Sequence, residues 1–130
     1  MKKIVGIYIV LSVLLLTACG GSQDKTLIDF SAHNIASVEL NIQPPNRQIT
    51  LNKKQVEKLV QMINQVKIGE EESTYLEYTG QWVEFDILFD NNTLTKIAIL
   101  NPYIIVNEKG YSANESILEE LNAFANELLD

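Results

Sequence analysis

Trp82-Val83-Glu84-Phe85-Asp86-Ile87-Leu88-Phe89, then Asp90-Asn91-Asn92, then Thr93-Leu94-Thr95-Lys96-Ile97-Ala98-Ile99-Leu100, is the stretch that decides the fold. Val83, Phe85, Ile87 and Phe89 alternate with Trp82, Glu84, Asp86 and Leu88, a period of two that sends one set to each face of a strand. Asparagine tolerates the left-handed conformation a tight loop needs, so Asp90-Asn91-Asn92 is read as a turn and its flanks as a hairpin. A three-residue loop pairs Phe85 with Ile97 and Val83 with Ile99 on one face, and sets Asp86 opposite Lys96 on the other. A two-residue loop would oppose Ile87 to Lys96 and Asp86 to Ile97, mixing charge with apolar partners on both faces. Cross-strand pairing therefore predicts the first register.

Upstream, Val38, Leu40 and Ile42 alternate with Ser37, Glu39 and Asn41 in a half-buried strand. Gln43-Pro44-Pro45-Asn46 is a turn, and Gln48 to Leu51 returns as the second strand of a hairpin. Asn52 and Gln55 form a capping-box pattern. Val56, Leu59, Val60, Ile63 and Val66 then recur at helical spacing, predicting a helix over 53–67 that Gly69 ends. Glu70-Glu71-Glu72-Ser73 reads as an acidic loop, and Tyr75 to Tyr78 as an extended edge segment before Gly80.

Downstream, Pro102 interrupts, Tyr103 to Asn107 makes another strand, and Glu108-Lys109-Gly110 is a turn from which Tyr111 begins a short return. Ser112, with Glu115 as capping-box partner, is expected to start the last helix, whose apolar face is Ile117, Leu121, Phe124 and Leu128. Strands joined by tight turns are antiparallel, and two helices with one apolar stripe each need a common surface. The expected fold is α+β: a two-layer sandwich, antiparallel sheet in the order β-β-α-β-β-β-α, with both helices on one face. The other sheet face is expected to carry Tyr78, Trp82, Glu84, Asp86, Leu88 and Lys96. A partly aromatic, partly acidic surface of this kind suits a protein or peptide partner. The competing expectation is that Leu27, Ile28 and Phe30 cover part of it.

The N-terminal residues bear on location. Lys2 and Lys3 precede a thirteen-residue apolar run, Ile4 to Leu16, which leads through Thr17 and Ala18 to Cys19, the layout of an export signal. Leu16-Thr17-Ala18-Cys19 resembles the bacterial lipobox. What the resemblance implies is cleavage between Ala18 and Cys19, diacylglycerol on the Cys19 sulfur, and a bilayer as partner through acylated Cys19. Two or three acyl chains hold stably where one does not. An uncleaved anchor competes, since residues 4–22 carry no charge, but the strongly apolar part stops at Leu16, short of a span. A plain secretory signal is the other competitor. The domain organisation read from this is a signal peptide over 1–18, a lipidated Gly/Ser/polar tether over 19–34, and a single α+β domain over 35–130.

Cys19 is the only cysteine, so the chain has no intrachain disulfide. Loss of Lys2 and Lys3 with the signal takes the formal charge from −7 to −9. That balance argues against nucleic acid and against an electrostatic grip on anionic headgroups. His33, the one histidine, has no nucleophile candidate near it in sequence, and neither G-x-S-x-G nor S-x-x-K occurs. Glu84 and Asp86 share a strand face, where paired carboxylates can do acid–base work if their environments split their pKa values. Glu70, Glu71, Glu72 and Glu77 lack the spacing of a calcium loop, and no cofactor or metal motif is present.

The lipobox and element order resemble the small lipoproteins common in Gram-positive bacteria. The resemblance implies a membrane-anchored, extracytoplasmic, non-enzymatic binding or accessory module of the cell envelope. Three alternatives stand beside it. One is an immunity or exclusion lipoprotein against a bacteriocin, phage or conjugation component, which the acidic charge would suit if the toxin is cationic. Another is an envelope enzyme using Glu84 and Asp86. The last is a signal whose released tail, Val10 to Thr17, resembles peptide-pheromone precursors.

Overall fold

The computed structural model describes residues 25–26 and 34–130. The hairpin at its centre has the register that side-chain pairing predicts. Strand β5 (Trp82–Phe89) lies antiparallel to β6 (Leu94–Leu100), with Val83 opposite Ile99, Phe85 opposite Ile97 and Asp86 opposite Lys96. Asn92 takes the left-handed turn position at φ 68°, which asparagine adopts more readily than most residues.

Around this hairpin the other strands are β1 (Lys25–Thr26), β2 (Ile35–Gln43), β3 (Arg47–Thr50), β4 (Lys67–Glu71), β7 (Tyr103–Val106) and β8 (Lys109–Ala113). They form one sheet in the order β1-β4-β8-β7-β6-β5-β2-β3, and every neighbouring pair is antiparallel. Helices α1 (Lys53–Ile63) and α2 (Glu115–Glu127) pack on the same face of it. Val38, Leu40, Ile42, Val83, Phe85, Ile87, Ile97, Ile99 and Ile104 meet Leu59, Ile63, Leu118 and Leu121 there, all essentially without solvent exposure. Phe85 and Phe124 stack at 6.3 Å between centroids. Each such side chain contributes about 1.5–3 kcal/mol when fully buried, so this layer holds the domain together. Among the described residues no helix is long and apolar enough to cross a membrane.

Helix α1 begins as the sequence indicates. Asn52 Oδ1 accepts from the Gln55 N–H at 2.9 Å, and Gln55 Oε1 accepts from the Asn52 N–H at 2.8 Å. It ends four residues early, at Ile63. Tighter i to i−3 bonds, Gln65 N–H to the Met62 carbonyl and Val66 N–H to the Ile63 carbonyl, close the chain. They keep Val66 buried at near-helical spacing, which is why the apolar pattern runs on past the helix.

Four further expectations are corrected. Residues 67–71, read partly as helix end and partly as acidic loop, are strand β4, paired with β8 on one side and β1 on the other. Gly69 is inside that strand: a Cβ there would lie 2.5 Å from Ser112 Oγ, so its lack of a side chain permits the approach of β8. Thr74–Glu77 is a 3-10 turn and not an extended edge. The β7–β8 turn is Asn107-Glu108, with φ of 48° and 73°, a two-residue loop with both residues left-handed; Gly110 lies in the strand, opposite Ile105.

The start of α2 is the fourth. Ser112 belongs to β8 and Asn114 occupies the N-cap position, but its side chain caps nothing. Asn114 Oδ1 instead accepts from the Lys67 N–H at 2.9 Å, stitching the entry of β4 to the entry of α2. A tertiary bond has outcompeted the local cap.

Gly110 offers the sharpest test of this packing. A Cβ on it would collide with the Tyr75 ring and approach the Glu72 carbonyl to 2.8 Å. Gly110→Ala is expected to lower the urea unfolding free energy by about 1–3 kcal/mol, the usual range for overpacking. In a Tyr75→Ala background the same substitution should cost measurably less, because the clashing ring is gone.

Candidate functional site

The sheet face away from the helices is divided. Ala98, Leu100 and Ile105 project from β6 and β7 and are almost fully buried, although α1 and α2 lie on the other side. Residues 72–81 cover them as a strap running from β4 to β5. The Glu72 N–H donates to the Gly110 carbonyl at 2.8 Å, and Thr74 Oγ1 donates to Tyr103 Oη at 3.0 Å. Tyr75 lays its ring on Gly110, and its hydroxyl donates to the Glu108 carbonyl at 2.7 Å. Tyr78 meets Tyr103 edge to face at 5.3 Å. Gln81 forms a reciprocal amide pair with Asn126, at 3.0 and 2.9 Å, tying the end of the strap to α2.

The strap stops short of the polar half of this face. Ser37, Glu39 and Asn41 on β2, and Glu84 and Asp86 on β5, are only half-buried. Between strap and sheet lies a groove of about 410 Å³, within the range of small-ligand pockets. Tyr75 and Leu76 form its strap wall and Ala98 and Ile105 its floor; Trp82, Glu84, Lys96 and Glu108 complete it. Leu76 projects at the rim, 73% exposed.

Within the groove the register sets the electrostatics. Glu84 and Asp86 are two apart on β5 and share a face, Asn41 stands opposite Glu84 on β2, and Lys96 stands opposite Asp86 on β6. Asp86 Oδ2 accepts from Asn41 Nδ2 at 3.2 Å. Asp86 Oδ1 is buried with no partner among the described residues. The Glu84 carboxyl is raised above its ordinary 4.5, first by burial, then by a side-chain hydrogen bond to Asp86 and by the Asp86 charge. Lys96 and a side-chain hydrogen bond from Trp82 pull the other way.

Of the residues expected on this face, Trp82, Glu84 and Lys96 line the groove, and Asp86 adjoins Glu84 behind it. Tyr78 is on the strap, 49% exposed, directed at Tyr103 and not at the groove. Leu88 lies at the far end of β5, opposite Leu94 and Ser37. Tyr75, Leu76, Ala98, Ile105 and Glu108 were not foreseen. A signal existed for two of them: Ile97-Ala98-Ile99-Leu100 and Ile104-Ile105 are unbroken apolar runs, which mark strands covered on both faces. Glu70 and Glu71 lie in β4, and among the described residues no group of three His, Cys, Asp or Glu side chains could hold a metal. Ala18, Cys19, Leu27, Ile28, Phe30 and His33 lie outside the described residues.

Comparison of the chain with protein-family models, with curated proteins and with solved structures finds no match.

The raised Glu84 carboxyl has a consequence for stability. Below about pH 4.5 the native and unfolded chains both hold this proton. Above it the unfolded chain releases the proton first, so stability falls as pH rises, until the native carboxyl has also ionised. Urea midpoints taken from pH 4 to 8 should therefore show wild type losing ground to Glu84→Gln across the lower part of that range. A constant difference between the two proteins would contradict this.

Proposed function

We propose that this chain is a lipid-anchored, extracytoplasmic and non-enzymatic binding module of the cell envelope. The observation that carries the anchoring is Leu16-Thr17-Ala18-Cys19 at the end of an uncharged apolar run, with the chain's sole cysteine at the modified position. Acylation there would fix an acidic domain to the bilayer surface while its own charge keeps it off anionic headgroups.

What supports the binding part of the reading is the groove. It joins an aromatic wall, an apolar rim and the half-buried Glu84 carboxyl on a sheet face that helices α1 and α2 leave open. The envelope-enzyme alternative would need Glu84 and Asp86 to act as acid and base. Here they stand two apart on one strand face and Asp86 is held by Asn41, so binding of charge is the simpler use of the pair.

The anchoring is tested in the producing bacterium with an alkyne-tagged fatty acid. Wild type is expected to take up the label and to sediment with membranes. Cys19→Ala should lose the label entirely and accumulate with its N-terminal segment uncleaved. Equal labelling of the two proteins, or none of either, would overturn the reading.

A further inference from the structure

We propose that the reverse-face groove takes a basic side chain, arginine or lysine, of an amphipathic peptide segment, with the neighbouring apolar residues of that segment lying on Leu76 and Tyr75. This rests on the reading of the groove as the contact surface and gives that contact its chemistry.

Charge complementarity selects the occupant. Among the described residues the groove is lined by two acids, Glu84 and Glu108, against one cation, Lys96, and Asp86 lies directly behind Glu84 and opposite Lys96. Behind Glu84, Asp86 Oδ1 has no hydrogen-bond partner among the described residues, so its charge adds to the negative field of the groove. A guanidinium or ammonium arriving beside Glu84 supplies the missing positive charge, and it does so against the Trp82 and Tyr75 rings, whose faces attract cations. An anion would meet Lys96 alone among the described lining residues, with Glu84 and Glu108 opposing it.

The apolar half of the site argues for a peptide over a small amine. The volume, about 410 Å³, exceeds what one ammonium or guanidinium group fills. Leu76, 73% exposed on the strap, is an apolar ridge. A segment that alternates basic and apolar side chains places a charge on the floor and a hydrocarbon on the ridge together, the usual division of labour in a peptide-binding surface.

Binding should depend on pH through Glu84. The groups that face it are Asp86 and Trp82 on its own strand, Asn41 with Glu39 beside it on β2, Lys96 on β6, Glu108 from the β7–β8 turn, and Tyr75 from the strap. An incoming cation favours the ionised carboxyl, so protonation of Glu84 competes with it. Affinity should fall as pH drops through the Glu84 range.

Trp82 is the only tryptophan of the chain, so its fluorescence reports on the groove alone. The full chain, in a zwitterionic detergent, is titrated with acetyl-Leu-Arg-Leu-amide, with the matching peptides carrying Gln or Glu in place of Arg, and with butylguanidinium. The Arg peptide is expected to shift Trp82 emission saturably and to bind about tenfold more tightly than the Gln peptide, the size of one charge-assisted contact. Glu84→Gln, and independently Glu108→Gln, should remove most of that preference; the same detergent in all samples makes partition into micelles a common background. Equal binding of the Gln peptide would refute the charge selection while leaving the groove as a contact surface. Preference for the Glu peptide would show that Lys96 dominates and would also overturn the proposal. Butylguanidinium binding as tightly as the Arg peptide would make this a small-cation site and not a peptide site. If no probe moves Trp82, the groove fails as a contact surface and the inference fails with it.

Discussion

From Ile97 onward strand β6, and β7 beside it, is buried and apolar on both faces, and that constraint organises the rest of the molecule. Ile97, Ile99 and Ile104 point to the helices while Ala98, Leu100 and Ile105 point away from them. A sheet with one helical layer can satisfy only the first set. The second is covered by the strap, which the chain lays across the reverse face on its way from β4 to β5. Gly110 is what lets it sit close, since the Tyr75 ring occupies the space a side chain would fill. Helices and strap thus make a sheet that is three layers deep over β6 to β8 and two layers deep over β2 and β3.

The groove lies at the step between those two regimes, and its electrostatics follow from that position. Glu84 is buried enough by the strap's edge to resist ionisation, yet it is not walled off from solvent. Asp86, one pleat further along, has its own amide donor in Asn41 and keeps an unpaired oxygen. Lys96 sits opposite Asp86 and lines the groove beside Glu84. A carboxyl pair in this condition is a poor stabiliser of the fold, because desolvation offsets much of what the partners contribute. It is well placed to prefer a cationic guest over a neutral one.

The sequence carries more of the fold than of the site, for reasons that particular residues make plain. The register of β5 and β6 was legible because a one-residue slip would bring charge against Ile97, and α1 because Asn52 and Gln55 bond within one turn. Strand β4 was not legible: Lys67-Ile68-Gly69-Glu70-Glu71 has one apolar residue and a glycine, and it is a strand because β8 offers it a ladder. The start of α2 was misread for a similar reason, since Asn114 bonds to Lys67 across the fold and leaves the local cap unmade. On the reverse face, the period of two placed Trp82, Glu84, Asp86 and Lys96 together correctly. It could not place Tyr75 and Leu76, because their position depends on where the strap crosses, and that is fixed by Gly110 and Tyr103 far along the chain.

The central physical claim is that the lone tryptophan borders a half-open groove whose field is negative. Collisional quenching of Trp82 measures this directly, using caesium and iodide at matched ionic strength near pH 8 and normalising each to N-acetyl-tryptophanamide. Caesium is expected to keep a larger share of its free-solution quenching than iodide does, and the gap is expected to narrow when Glu84 and Glu108 are both changed to Gln. Iodide quenching Trp82 as well as or better than caesium would contradict it.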